Sequence, residues 1–324
     1  MQRFGQEVQL TVTDGEGGQV LNASGLRVDF DLRQIRGFNR ASVRVFNLTD
    51  NTIGSLVGAK GRYATLKVRL HDGPWVTIID GFYVNNSVDE MKLPDRITTL
   101  YMYDGIKKRI LEQHVSVVVV NPTLQNMVDQ VLNAGARAGS ATPPNTRYQS
   151  FPVDLKDYKL VPAVRNLEGS VQMCMKQLEM EFDFNMYTEK DGILMVYKPH
   201  PNQVPNTDLD SYKTITLDTN NMRANPELAP AQLKVTSNLD PRIRPGAVLD
   251  ISKLLTASIG SDENTLQLAD QFAVQSVGGY TRYQALEVQH RGSNYTNHWS
   301  TTCSAVSPSN GTNMPVGSSW FKSN

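Results

Sequence analysis

Apolar and polar residues alternate with period two through much of the first hundred positions. In Leu26-Arg27-Val28-Asp29-Phe30-Asp31-Leu32 the apolar side chains fall on one side and Arg27, Asp29 and Asp31 on the other, the pattern of a half-buried strand. Residues 40–46 repeat it, with Val43 and Val45 opposed to Ser42 and Arg44. The run breaks at Asn47-Leu48-Thr49-Asp50, where Asn47, Thr49 and Asp50 can accept hydrogen bonds from free backbone N–H groups. Ile53, Leu56 and Val57 then share one helical face ahead of Gly58. A short capped helix ended by a glycine follows, placed to plug one end of the sheet. Residues 63–70, the reversal His71-Asp72-Gly73-Pro74 and residues 75–84 predict a hairpin. Residues 95–103 add a strand with Ile97, Thr99, Tyr101 and Tyr103 on one face, and a meander of this kind tends to close on itself. Asp104 is placed to cap a helix over 105–113.

From about residue 113 the period lengthens. Val115-Ser116-Val117-Val118-Val119-Val120 suits a buried strand, and Asn121 as cap with Pro122 at the first helical position opens a helix whose stripe is Leu124, Met127, Val128, Val131 and Leu132. Residues 140–162 read as a proline-bearing loop, 170–182 as a helix, and 182–199 as a hairpin turning at Lys190-Asp191-Gly192. Residues 200–211 have linker composition. Beyond them come short strands separated by turns, with Pro245-Gly246 fixing a tight reversal before an alternating strand. The fold class is therefore mainly β with an α+β insertion: 1–112 a first β unit, 113–214 an α/β insertion and linker, 215–306 a second β unit, and 307–324 a C-terminal arm.

Composition narrows the function. The 324 residues are 40% hydrophobic and 20% charged, enough to bury real cores, and 32 basic residues balance 32 acidic ones. No field therefore favours nucleic acid or an anionic membrane. The apolar run at 115–120 falls far short of the ~20 residues of a membrane span, and the first 18 residues lack the pattern of a secretory signal. Without such a signal, sequons at Asn22, Asn47, Asn85, Asn294 and Asn310 read as chance. Cys174 and Cys303, the only cysteines, read as reduced thiols, Cys174 as a small buried hydrophobe.

Candidate chemistry is sparse. His290 and His298 lack the spacing and the glutamate of a helical zinc site and read as ordinary polar histidines. Glu179, Glu181 and Asp183 alternate and would crowd one strand face, but without an aromatic-lined sugar cleft a solvated face is the better reading. Tyr101 and Tyr103 sit beside Leu100, Met102 and Asp104 and not in a basic stripe, so they read as core or subunit-interface residues and not as base-stacking platforms. Phosphate-cradling and nucleophile-elbow motifs are missing. The expectation is a non-enzyme without metal or cofactor.

Residues 26–56, 73–84 and the strand ending Tyr101-Met102-Tyr103-Asp104-Gly105, together with the Pro245-Gly246 turn and the His290-Arg291-Gly292 strand end, resemble the baseplate hub proteins of contractile-tailed bacteriophages. The resemblance spans most of residues 20–305. It implies two small tube-like antiparallel β-barrels flanking the α/β module. It also implies a homotrimeric ring, a symmetry adaptor joining the sixfold tail tube to the threefold central spike, with DNA only passing through the channel. The partners implied are the tail tube protein, the spike protein and other baseplate proteins. The place implied is the virion tail baseplate, assembled in the cytoplasm of the bacterial host. A hexameric tail-tube or distal-tail ring, and a cell-wall hydrolase built on Glu179, Glu181 or Asp183, are the alternatives.

The arm 307–324 is dominated by Ser, Asn, Gly and Pro and is expected to be mobile in the free protein. It carries Trp320 and Phe321, two large rings that a solubilising tail does not need. They are the candidate docking residues for a neighbouring subunit or another baseplate protein.

Overall fold

The computed structural model describes residues 6–14, 18–58, 63–70, 73–89, 95–141, 143–149, 164–182, 184–188, 192–197, 214–224, 226–229, 232–257 and 282–306. The expected reversal tip at His71-Asp72, the turn at Lys190-Asp191, the linker 200–211, most of the loop 140–162, and Asp183, Trp320 and Phe321 lie outside these residues. The chain forms two compact units: Met1–Arg147 with Val153–Met195 and His290–Trp299, and Tyr148–Pro152 with Val196–Gln289 and Ser300–Asn324.

The first unit is built on β1 (Gln6–Thr13), β2 (Gln19–Asn22), β3 (Val28–Gln34), β4 (Asn39–Phe46), β5 (Tyr63–Leu70), β6 (Val76–Asp89) and β7 (Ile97–Asp104). These pair in the order β3-β4-β7-β6-β5-β1-β2, each neighbouring pair antiparallel. One side chain in two goes inward: Leu10 and Val12, Phe30 and Leu32, Val43 and Val45, Leu66 and Val68, Leu100 and Met102 are buried.

Helix α1 (Asp50–Gly58) follows β4, and Thr49 Oγ1 accepts from the Thr52 N–H at 3.3 Å. Asn47 takes positive φ, and its side chain bonds Arg96 and Asp95. The polar stop after β4 is thus both a cap and a tie to the start of β7. Ile53 and Leu56 are buried, but Val57 is 69% exposed, because the buried face of so short a helix is narrower than the stripe the spacing predicted.

One further expectation about side-chain direction is corrected, and one pair of alternatives is narrowed. Asp29 is buried, not outward, because it takes Ser293 Oγ as donor at 2.6 Å and ion pairs with Arg27 and Arg44 at 3.4 and 3.5 Å. In β7 Ile97, Thr98, Leu100, Met102 and Asp104 are buried, and Tyr101 and Tyr103 lie on the face opposite Leu100 and Met102, which leaves the subunit-interface reading of the two and not the core one.

After β7 a π-helical turn, Lys107–Leu111, receives Asp104 Oδ1 as acceptor of the Lys107 N–H at 3.2 Å, the expected cap. β8 (His114–Val120), α2 (Leu124–Ala138), β9 (Asn145–Gln149), β10 (Val164–Ser170), α3 (Val171–Phe182), β11 (Phe184–Thr188) and β12 (Gly192–Tyr197) complete the segment. All five predicted stripe residues of α2 are buried. Its cap, however, is Thr123, whose hydroxyl accepts from the Asn126 N–H at 3.1 Å, while Asn121 stands outside the helix at φ +48°. Thr123→Ala is expected to cost about 1 kcal/mol of stability, as caps of this kind do, read as a lower urea midpoint at unchanged slope. Asn121→Ala removes no cap.

The second unit contains β13 (Thr214–Thr216), β14 (Glu227–Ala229), β15 (Gln232–Asn238), β16 (Val248–Asp250), α4 (Ser252–Ala257), the first eight residues of β17 (Arg282–Ser293), and β18 (Ser300–Val306). β15 pairs β14 and β18, and β16 pairs β13 in parallel and β17 antiparallel. Leu233, Val235, Ile243, Leu249, Val288 and Cys303 are among its buried core residues. The reversal into β16 is the predicted Pro-Gly turn. Gly246 has φ +85°, a conformation strained for a residue with a Cβ, and the Ala247 N–H bonds Arg244 O at 2.9 Å.

Candidate interaction surfaces

β8 and β10 form a two-stranded antiparallel sheet in unbroken register from Val120↔Val164 to His114↔Ser170. Val115, Val117, Val119 and Leu167 are buried on the face toward the helices. The run 115–120 is the expected strand, but it is buried on one face only. Val118 and Val120 are 60% and 61% exposed, and Val164, opposite Val120, is 52% exposed. A valine patch therefore faces outward.

The edge of β8 away from β10 has no strand partner among the described residues. A groove of about 550 Å³ lies between Ser116–Val118 of β8 and the α2 residues Gln130, Asn133, Ala134 and Arg137. Arg137 is exposed and makes no ion pair among the described residues.

A second surface feature crosses β5, β6 and β7. Tyr63, Phe82 and Tyr103 are successive cross-strand neighbours, with Tyr63 and Phe82 edge to face at 4.9 Å and Phe38 against Tyr103 at 5.4 Å. The π-helical turn lays its cations on this ladder: Lys107 Nζ is 3.9 Å from the Phe38 and Tyr103 ring centres, and the Arg109 guanidinium is 4.6 Å from that of Tyr63. These charges are committed to rings of the same chain, which leaves less for a phosphate backbone. Burial pushes the Tyr63 phenol up, and Arg109 offsets part of that rise.

The polar candidates do not converge. His290 is buried and His298 exposed. Glu179 and Glu181 lie on α3 and not on a strand, so two positions apart they point to different sides of a helix. Buried Glu179 accepts from Arg36 at 3.1 Å and from the Met186 N–H at 2.6 Å, and Glu181 takes a bidentate bond from Arg165. Both carboxylates are occupied in holding the fold. Cys174 and Cys303 are free and buried, and burial raises both thiols above the ordinary range. Among the described residues, no group of three or more His, Cys, Asp or Glu is placed to hold a metal ion, and no helix is long and apolar enough to cross a membrane. What the sequence reading missed is the open edge of β8. The lone Ser116 inside the valine run was the available signal of two unlike faces.

No protein-family model matches the chain, and no curated protein matches it in sequence. Solved structures do match. The E. coli c3393 protein, a component of the type VI secretion system described as similar to the T4 bacteriophage tail proteins gp27 and gp5, aligns over 93% of this chain and 76% of its own, with TM-score 0.53 and 9% identity. The tail protein of Neisseria meningitidis MC58 aligns over 93% and 96%, TM-score 0.52, 9% identity. The 43 kDa tail protein of prophage MuSo2 from Shewanella oneidensis aligns over 93% and 97%, TM-score 0.52, 8% identity. The chain has the mainly β fold of these tail proteins, as its resemblance to baseplate hubs implied.

Proposed function

We propose that the chain is a structural baseplate hub. Three copies form a ring that joins a sixfold tail tube to a threefold central spike and lines the channel through which DNA leaves. The observation that carries this reading is the alignment of 93% of the chain with tail proteins of nearly the same extent, since a match across the whole molecule speaks for a shared architecture and not for one borrowed domain. Three features fit it. The net charge is zero, so a ring lined by this chain would let DNA slide and not stick. Glu179 and Glu181, two of the three carboxylates considered for hydrolysis, are tied up in ion pairs. The cations of the π-helical turn are stacked on rings.

The role is non-catalytic, with no resident metal or cofactor. The tube, the spike and other baseplate proteins are the partners, in a tail assembled in the host cytoplasm. Electron micrographs of the purified chain, alone and with its spike, test the reading. Class averages should show threefold rings with an open centre, and sixfold rings would instead support a tube or distal-tail component.

A further inference from the structure

We propose that the open edge of β8 is a strand-addition site and that its occupant is segment 307–324 of a neighbouring copy. The proposal rests on the ring reading in requiring a second copy. β8 is the first observation. Alternate residues of any strand turn their N–H and C=O groups to the same side, so one edge of β8 bonds β10 and the other offers a row of backbone donors and acceptors. Natural edge strands that stay unpaired are protected by proline, inward charge or a bulge. β8 has none of these: it reads His-Val-Ser-Val-Val-Val-Val, and its register with β10 is unbroken over all seven residues. Among the described residues no strand covers this edge, and an edge without such protection is open to pairing with another chain.

The surroundings of β8 are apolar on the outer face and mixed on the helix side, where Val117 and Ala134 stand among polar α2 residues. On the outer face stand Val118 and Val120, and on the helix side the groove is walled by α2, where Ala134 leaves room between Gln130, Asn133 and Arg137. An added strand would therefore bury one side chain against the valines and the next into the groove, because successive residues of a strand point to opposite faces.

Segment 307–324 matches that requirement. Trp320 and Phe321 are adjacent, so in an extended chain one ring meets each face. The segment has no Asp or Glu, and Ser318 and Ser319 before the rings are small and uncharged. It starts directly after β18, and at ~3.3 Å per residue its length can span ~60 Å, enough to reach a second molecule. Each chain carries one such segment and one β8 edge. A cyclic ring of any size then leaves neither unmatched, which is the condition for a head-to-tail contact to close.

The test is disulfide trapping in the full-length chain carrying Asn133→Cys and Ser319→Cys, since Cys174 and Cys303 are buried and stay out of the reaction. Mild oxidation should give covalent dimers and trimers on a non-reducing gel from the double variant and not from either single one. Adding Val118→Arg, at an exposed position, should lower the yield at least tenfold with the melting temperature unchanged. Native mass spectrometry of the same sample counts the copies. Three copies without an interchain cross-link would overturn the strand-addition proposal and leave the ring standing. A single copy would sink the ring reading instead. In that case a dye-labelled synthetic peptide of residues 307–324, titrated by anisotropy into full-length protein with Trp320→Ala and Phe321→Ala, decides the groove: saturable binding abolished by Val118→Arg supports it, and no binding overturns it.

Discussion

Trp299→Ala is expected to destabilise the first unit by about 3–5 kcal/mol, the range for emptying a buried aromatic site. Trp299 is 1% exposed and meets Phe30 edge to face, with ring centres 5.7 Å apart. Its indole Nε1 donates to Ser293 O. The ring is held by a strap, residues 290–299, sewn along β3. Ser293 Oγ donates to Asp29 at 2.6 Å, Arg291 pairs with Asp31 at 3.1 Å, and Asn294 accepts from the Val28 N–H at 2.8 Å while donating to Leu26 O at 2.7 Å.

Gly292 explains why the strap can lie so close. A Cβ at that position would stand 2.6 Å from the Phe30 ring and 3.2 Å from the Trp299 indole. Alanine at 299 empties a site that neither backbone can collapse into, because the strap is pinned on both sides. Trp299→Phe keeps a ring and loses the donor, so its loss should be smaller by well over half. Urea unfolding followed by circular dichroism reads both.

Asp104→Ala should cost about 2–4 kcal/mol, because a buried carboxylate that serves several donors leaves each of them unpaired when it goes. Its Oδ2 accepts from the Asn39 N–H at 2.8 Å and from the Thr188 hydroxyl, and its Oδ1 from the Lys107 N–H. One side chain thus ties β4, β11 and the π-helical turn to the end of β7. Asp104→Asn keeps an oxygen for the N–H donors and should lose far less.

The two variants also separate charge from shape. Burial pushes the Asp104 carboxyl above its ordinary value of 3.8, against the pull of the Thr188, Asn39 and Lys107 hydrogen bonds and the Lys107 charge. A carboxyl raised in the folded state contributes stability that is fully present below its unfolded value and is lost as pH rises through the folded value. The wild type should therefore lose stability relative to Asp104→Asn as pH climbs from about 3.8 through that raised value, and the difference between the two should be flat above it.

Much of the fold was legible where one face of an element is apolar and the other is wet. The alternation of β3, β4 and β5, the α2 stripe and the Pro245-Gly246 turn all have local causes, and local pattern finds them. Asp29 and Glu179 were not legible, because what buries each carboxylate lies far away in sequence: Ser293 for the one, Arg36 for the other. Which face of β7 turns inward, and so whether Tyr101 and Tyr103 are core or surface, was not legible for a related reason. Thr98 and Asp104 are polar yet buried on the other side of the same strand, so the hydropathy of β7 runs nearly even on its two faces. For residues 115–120 the strand was legible and its exposed face was not. An almost uninterrupted valine run reads as a buried strand, and only tertiary structure shows that one side is left open.

The number of copies is the most direct test of the hub reading. Native mass spectrometry of the full-length chain should give a dominant species at about three times the 36.0 kDa chain mass, persisting when the spike is added. A dominant monomer, or a closed hexamer with or without the spike, would contradict it.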